Sequence, residues 1–279
     1  MNTDVPQVKL NDGNSMPQLG LGVWKAANNG EAEQAVLAAI QTGYRLIDTA
    51  AVYMNEEDVG RAIASCGVPR EELFITTKLW NSEQGAEKVR PALLASLEKL
   101  GLDYVDLYLI HWPMPARDLY VETWKEMEKL RDEGLIKSIG VSNFQIEHLE
   151  KLASESNTVP AVNQIELHPG FIQAELREYC AQHGIQVESW KPIGGADKTL
   201  HDNPVLQEIA KKYDKSAVQV AIRWHIQHGL VVIPKSVHEA RIQENFDVFD
   251  FELSDDDITA IDALKGERQG LDPDTMNNG

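Results

Sequence analysis

The chain alternates short aliphatic and β-branched runs with longer segments of helical periodicity. The runs that predict strands are residues 19–22, 45–48, 73–78, 104–110, 136–141, 162–166, 186–190 and 230–233. The segments that predict helices are residues 30–42, 56–64, 86–100, 120–133, 145–154, 173–183 and 216–228. Strands that alternate with helices form parallel β–α–β units, so this pattern favours a closed (β/α)8 TIM barrel over an open sheet.

We expect residues 1–279 to form one barrel domain, because no linker or low-complexity tract interrupts them. Barrels of this class are single domains at about this length. Ahead of the first strand, residues 8–16 contain Asp12-Gly13, a pair typical of hairpin turns. An N-terminal β-hairpin that plugs the bottom of the barrel is therefore predicted. The prolines expected near element boundaries are Pro69, Pro91, Pro169 and Pro204.

Composition excludes several classes of function. The formal net charge of −18 argues against nucleic acids and anionic membranes, since both require a basic footprint. Cys66 and Cys180 are too few for a disulfide framework or a metal site. His225 and His228 share a helical face without a carboxylate partner in the pattern, so we expect them on the helix surface and predict no metal.

No segment approaches the roughly 20 consecutive apolar residues of a membrane span, and the first residues contain no apolar signal core. The expectation is a soluble, cytoplasmic and monomeric protein that binds a small molecule.

Four polar residues fall where apolar runs end. Asp48 follows Tyr-Arg-Leu-Ile, Tyr53 comes five positions later, Lys78 follows Leu-Phe-Ile-Thr-Thr, and His111 follows Leu-Tyr-Leu-Ile. Barrel enzymes place their catalytic groups at the carboxyl ends of several strands. We therefore predict that these four residues share an active site at that face of the barrel.

The four side chains together can transfer a proton to a carbonyl oxygen. A free phenol has a pKa of about 10, and a neighbouring ammonium strengthens this acid by stabilising the phenolate. Lys78 can act in this way on Tyr53, and Asp48 can keep Lys78 charged. His111 can then hydrogen-bond the carbonyl. Each residue alone also has a structural explanation, such as a buried ion pair or a core histidine.

The segment after the eighth predicted strand can bind a phosphate. Lys235, Ser236 and Arg241 supply charge and hydrogen bonds beside a predicted helix N-terminus. This place agrees with the common phosphate site of barrel enzymes. Gly20-Leu-Gly22 is not followed by the spacing of the dinucleotide fingerprint, and no Walker-type loop occurs. A nucleotide would therefore bind without a Rossmann turn.

Several motifs, in order, resemble those of the aldo-keto reductases. They are residues 47–56 (IDTAAVYMNE), 109–113 (LIHWP), 140–144 (GVSNF), 163–169 (NQIELHP) and 233–236 (IPKS). The resemblance runs from about residue 8 to residue 262, nearly the whole chain. Residues 74–81, 188–190 and 247–251 are most similar to prokaryotic 2,5-diketo-D-gluconate reductases.

The resemblance implies a (β/α)8 barrel that reduces a carbonyl to an alcohol with NADPH, with Tyr53 as the proton donor and Asp48, Lys78 and His111 in support. It assigns Ser142, Asn143 and Gln164 to the nicotinamide carboxamide and Trp190 to stacking on the nicotinamide ring. The remaining positions that it assigns to the cofactor are Lys235, Ser236, Val237, Arg241, Glu244 and Asn245. Lys235, Ser236 and Arg241 would hold the 2′-phosphate of the cofactor. Glu244 and Asn245 would contact its adenine. A preference for NADPH over NADH follows.

Lys191 departs from the pattern, because relatives often carry Ser or Gly there. Its side chain either reaches the cofactor pyrophosphate or stays solvated. The glycine-rich residues 194–196 that follow are expected to fold over the cofactor.

Trp24, Trp80 and Trp112 are candidates for an apolar wall of the substrate pocket. The short connection after His111 and the short chain after Leu264 suggest an open pocket suited to small polar carbonyls. By resemblance, the favoured substrate is 2,5-diketo-D-gluconate, reduced to 2-keto-L-gulonate, with methylglyoxal and β-keto esters as others.

Two other functions fit parts of the sequence. Lys78 could form a Schiff base, as in an aldolase, but this would leave Tyr53 and Trp190 without a joint purpose. A nicotinamide-binding regulatory subunit with little turnover is the second alternative.

Overall fold

A computed structural model describes residues 5–194 and 200–277. Its strands are β1 (Gln7–Lys9), β2 (Ser15–Pro17), β3 (Gly20–Gly22), β4 (Leu46–Asp48), β5 (Phe74–Leu79), β6 (Val105–Ile110), β7 (Ile136–Ser142), β8 (Val162–Glu166), β9 (Gln186–Trp190) and β10 (Val231–Val232). The parallel sheet runs in sequence order from β3 to β10. Parallel bridges from Leu19 to Val232 and from Gly22 to Lys235 join its two edges. The predicted (β/α)8 barrel is confirmed, with strand boundaries shifted by at most one residue.

Small residues at inward positions of the strands allow the barrel to close around a packed interior. Gly140 of β7 has no room for a side chain, since a Cβ would lie 2.7 Å from the carbonyl oxygen of Val162 and 2.8 Å from Leu109. Apolar side chains fill the lower half of the barrel, among them Leu46, Phe74 and Leu107. The upper half carries the polar residues that end the strands.

The antiparallel hairpin of β1 and β2 covers the amino-terminal end of the barrel, as predicted. Leu10 and Met16 belong to the apolar cluster that fills the lower barrel. The Asn14 amide donates to Ser138 Oγ at 2.9 Å, and the Asn11 amide donates to the carbonyl oxygen of Pro160 at 2.9 Å. These contacts close the face opposite the predicted active site.

Helices surround the barrel and return the chain from each strand to the next. They are α1 (Glu31–Thr42), α2 (Glu56–Ser65), α3 (Ala86–Leu100), α4 (Tyr120–Asp132), α5 (Ile146–Glu155), α6 (Ala174–Gln182), α7 (Pro204–Tyr213), α8 (Ala217–Gln227), α9 (Glu239–Phe246) and α10 (Asp255–Asp262). No helix in the described ranges is long and apolar enough to cross a membrane.

Two helices were not predicted, although their start signals are present in the sequence. Asn203 caps α7 by accepting from the backbone N–H groups of Val205 at 3.0 Å and Leu206 at 3.3 Å, with proline at the first helical position. Ser254 and Asp257 form a reciprocal capping box at the start of α10.

Two expectations about helices were wrong. Pro91 lies inside α3, not at a boundary, where it lacks the N–H that would donate to an earlier carbonyl. His225 is fully buried, and its Nε2 lies 3.0 Å from the carbonyl oxygen of Pro192. His228 finds its carboxylate partner, Asp262 at 3.0 Å, far away in the sequence. No group of three or more potential metal-ligating side chains occurs within the described ranges.

Candidate active site

Asp48, Tyr53, Lys78 and His111 converge at the carboxyl ends of neighbouring strands. Asp48 ends β4, and Tyr53 lies in the single turn of 3-10 helix that follows. Lys78 lies in β5 one residue before its end, whereas the predicted strand ended at Lys78 itself. His111 directly follows β6, where its N–H donates to the carbonyl oxygen of Leu79 at 3.2 Å.

The ammonium group of Lys78 connects these residues. It donates to Asp48 Oδ1 at 2.6 Å, to the carbonyl oxygen of Thr49 at 2.9 Å and to the Tyr53 hydroxyl at 3.5 Å. All three of its donors therefore have an oxygen partner. Lys78 is fully buried and Asp48 nearly so, which makes the pair an ion pair shielded from water.

Lys78 and Tyr53 shift each other's pKa in opposite directions. Burial acts to lower the pKa of Lys78, but Asp48 and Tyr53 outweigh it, so the pKa lies above the usual 10.5 and the side chain is an ammonium. Burial raises the pKa of Tyr53 above 10.0, while Lys78 acts to lower it. The predicted influence of Lys78 on Tyr53 is thus present, although burial exceeds it.

His111 is a neutral imidazole in this site. Burial, and then the positive charge of Lys78, lower its pKa well below 6.5. Its ring meets those of Tyr53 and Trp80 edge to face, with centroids 5.7 Å and 5.3 Å away. A neutral imidazole next to a phenol can donate a hydrogen bond to the same carbonyl oxygen.

The residues predicted to meet the nicotinamide follow the next strands around the barrel. Ser142 Oγ donates to the carbonyl oxygen of Gln164 at 2.9 Å, and Asn143 Nδ2 donates to that of His111 at 2.9 Å. Trp190 Nε1 donates to Asn143 Oδ1 at 2.9 Å. Asn143 has φ 63°, a left-handed conformation that asparagine tolerates better than most residues. The structure therefore places these four residues in one continuous patch beside His111.

The predicted phosphate-binding residues follow β10, the strand next to β9 in the barrel. Lys235 and Arg241 are exposed, and neither forms an ion pair with a described residue. Ser236 Oγ accepts from the backbone N–H of His238 at 3.1 Å, just ahead of α9. Val237 and Glu244 are half-buried, whereas Asn245 is buried. Two free cations thus stand beside a helix N-terminus, where an anion is favoured.

Lys191 adopts a left-handed backbone, with φ 55°, and its side chain forms no ion pair with a described residue. Of the glycine-rich residues predicted to fold over the cofactor, Gly195 and Ala196 lie outside the described ranges.

The three tryptophans predicted to line the pocket have different surroundings. Trp112 is buried in a small cluster with Met114 and Met276, and Trp80 packs against that cluster. Trp24 is 46% exposed, and the ammonium of Lys25 lies 4.4 Å from its ring centroid. The structure therefore joins two of the three residues in one wall.

The C-terminal segment (residues 265–277) packs against residues at the carboxyl end of the barrel. The Glu166 carboxylate accepts from the backbone N–H groups of Gln269 at 2.6 Å and Gly270 at 2.7 Å. This holds Gly270 so close to Trp190 that a Cβ would lie 2.4 Å from the indole ring. Farther along, Met276 packs on Trp112.

Sequence reasoning missed two buried acids, Glu166 and Glu188. Each is an acidic residue within a barrel strand, two residues from Gln164 or Trp190. Carboxylates are almost never fully buried without a partner, so this placement was a signal. Burial and the nearby charge of Asp48 raise the pKa of Glu188 to about 8.

The sequence profile of the Aldo/keto reductase family matches residues 18–265, and the chain belongs to this family. It is 56% identical to methylglyoxal reductase DkgA of Escherichia coli over 268 residues, which cover 96% of each chain. Glyoxal reductase of Bacillus subtilis is 55% identical over 270 residues, again 96% of each chain. A mutant of Gox0644 in complex with NADPH superposes with a TM-score of 0.92 at 46% identity, covering 97% of this chain and 98% of that one.

Proposed function

We propose that this protein reduces small polar carbonyl compounds to alcohols at the expense of NADPH. The observation that carries the proposal is the triad in which the buried Lys78 ammonium lies 2.6 Å from Asp48 and 3.5 Å from the hydroxyl of the half-buried Tyr53. A phenol hydrogen-bonded to a permanent ammonium is suited to give up a proton and regain it in each cycle.

The residues along the rim fit a nicotinamide cofactor. Gln164 Oε1 accepts no hydrogen bond from a described residue, so it is available to a carboxamide N–H. Ser142 and Asn143 lie beside it, and Trp190 offers its ring for stacking. The remaining residues of the proposed cofactor site are Lys191, Lys235, Ser236, Val237, Arg241, Glu244 and Asn245. The NADPH complex of Gox0644, at 46% identity, supports this cofactor.

The reduced nicotinamide, when bound, supplies the hydride. Tyr53 donates its hydroxyl proton to the carbonyl oxygen of the substrate, and Lys78 stabilises the phenolate that remains. Asp48 keeps Lys78 charged by pairing with it. His111, neutral because of its burial, donates a hydrogen bond that orients the same carbonyl oxygen. Positioned proton transfer of this kind contributes about 10²- to 10⁴-fold to a rate.

The substrates we propose are 2,5-diketo-D-gluconate, reduced to 2-keto-L-gulonate, and methylglyoxal, with β-keto esters as a further group. The names of the relatives from Escherichia coli and Bacillus subtilis support small dicarbonyls. Trp80, Trp112 and Met276 pack into one apolar wall, which supports compact substrates over extended ones.

The test is NADPH oxidation by the purified protein with 2,5-diketo-D-gluconate, methylglyoxal and a β-keto ester offered separately, and with NADH as the matched cofactor. Turnover of at least one carbonyl, with NADPH clearly preferred, is expected. Equal use of NADH would contradict the cofactor preference. Binding of NADPH without turnover of any carbonyl would contradict the reductase activity and favour a regulatory role.

A further inference from the structure

The side-chain amide of Gln164 lies between two buried carboxyl groups. Its Nε2 is 2.8 Å from Asp48 Oδ2 and 2.7 Å from Glu188 Oε2. Gln164 is 2% exposed and Glu188 is 0% exposed, so water does not compete for these bonds. Asp48 is also the partner of Lys78, whereas Glu188 has no part in the proton transfer described above.

These two contacts determine which atom of the amide remains free. Asp48 is paired with the Lys78 ammonium and presents only acceptor oxygens, so the nitrogen of Gln164, not its oxygen, must face it. An amide nitrogen carries two hydrogens, and Glu188 takes the second one. Both donors are therefore used within the protein, and Oε1 is left as the one atom that can meet a ligand.

Two hydrogen bonds to the same nitrogen also define the plane of the amide. With the hydrogen bond to Asp48 alone, the Gln164 amide could rotate about that bond, and its oxygen would occupy a range of positions. Glu188 suits this position because burial and the charge of Asp48 raise its pKa, which favours the neutral carboxyl group. A neutral carboxyl group still accepts at its carbonyl oxygen without adding a second negative charge beside Asp48.

We propose that Glu188 is a positioning residue that locks the Gln164 amide with its oxygen facing the rim, where it accepts from the carboxamide N–H of the nicotinamide ring. The fixed Gln164 oxygen favours a cofactor with a hydrogen-bond donor at the carboxamide position. It also fixes the rotation of the nicotinamide ring. The inference rests on the proposed function only in requiring a nicotinamide cofactor.

The test compares the binding of NADP and of its 3-acetylpyridine analogue, in which a methyl ketone replaces the carboxamide and removes its N–H donors. Dissociation constants from titration calorimetry need no turnover. We expect wild type to prefer NADP by about 10-fold, the value of one buried hydrogen bond. Glu188→Met should reduce this preference to about 2-fold or less, and Glu188→Gln, which keeps an acceptor oxygen, should retain most of it.

Two further variants separate positioning from a general structural effect. Glu188→Asp keeps the carboxyl group but withdraws it from the Gln164 amide by the length of one methylene group. It should therefore also lose the preference for NADP, and it provides the test if Glu188→Met fails to fold. In a Gln164→Leu background, Glu188→Met should change the preference no further, since the effect passes through Gln164.

Full preference for NADP in a folded Glu188→Met or Glu188→Asp variant would overturn the inference. So would an additional loss of preference in the double variant. Failure of wild type to bind NADP would overturn both this inference and the proposed function. Preference for NADP without turnover of any carbonyl would overturn the reductase activity alone and leave the role of Glu188 standing.

Discussion

Nζ of Lys78 lies 2.6 Å from Oδ1 of Asp48, and both side chains are buried at the carboxyl end of the barrel. A buried ion pair is costly to create, because both charges lose their hydration. Replacing it with apolar residues often stabilises a protein, so stability alone does not account for it. The ion pair also has a chemical reason, since it places the permanent ammonium of Lys78 beside the phenol of Tyr53.

Lys78→Met separates these two contributions. It should lower kcat by about 10²- to 10⁴-fold and the free energy of unfolding by about 3–5 kcal/mol, because Asp48 is left charged and unpaired. The matched double variant with Asp48→Asn removes that lone charge. It should recover much of the stability, as measured by denaturant unfolding, but none of the activity. Recovery of both would contradict a chemical role for Lys78.

Arg241→Ala should weaken NADPH binding by about 10- to 100-fold, the value of a charge-assisted hydrogen bond, and leave NADH binding unchanged. The readout is the KM for each cofactor. Arg131→Ala is the matched control, since it removes the same charge from the last turn of α4, at the opposite face of the barrel. An equal loss for both cofactors would argue against contact with the 2′-phosphate.

Gly270→Ala should weaken NADPH binding by about tenfold, because the new methyl group would displace Trp190 or the Glu166 carboxylate. Gly266→Ala, in the same segment, meets its nearest atom at 3.4 Å and should have no such effect. If calorimetry gave the same NADPH affinity for both variants, Trp190 would not be the stacking platform.

Burial of His225 makes the stability of the fold depend on pH. Its pKa falls from 6.5 to about 3 on folding, mainly through burial. Between these values the unfolded chain binds a proton that the folded chain does not, so stability is lost as pH falls below 6.5. The slope is about 1.4 kcal/mol per pH unit. His225→Gln should reduce the slope of unfolding free energy against pH by this amount. The exposed His183, changed to Gln, should not, and equal slopes in all three proteins would refute the assignment.

Lys191→Ser tests whether Lys191 reaches the cofactor pyrophosphate. If it does, the variant should bind both NADPH and NADH more weakly, by several-fold, because the pyrophosphate is common to the two. Unchanged affinity for both cofactors in a binding titration would show that the side chain stays in solvent.

The barrel was predictable from the sequence because strand and helix periodicities depend on neighbouring residues. The residues that end its strands were predictable for the same reason, and β8 and β9 were placed to the residue. Contacts between distant segments were not. The bond from Glu166 to Gly270 spans 104 positions and depends on where the C-terminal segment lies after folding. The pairing of His228 with Asp262, and the burial of His225 that made the surface expectation wrong, arise in the same way.

The most direct test of the central claim is the rate of NADPH consumption by wild type and Tyr53→Phe, with methylglyoxal and 2,5-diketo-D-gluconate offered separately. The phenylalanine keeps the ring beside His111 and removes only the hydroxyl that contacts Lys78. We predict that the variant binds NADPH as wild type does and loses turnover by about 10²- to 10⁴-fold. Turnover by the variant at the wild-type rate would contradict Tyr53 as the proton donor.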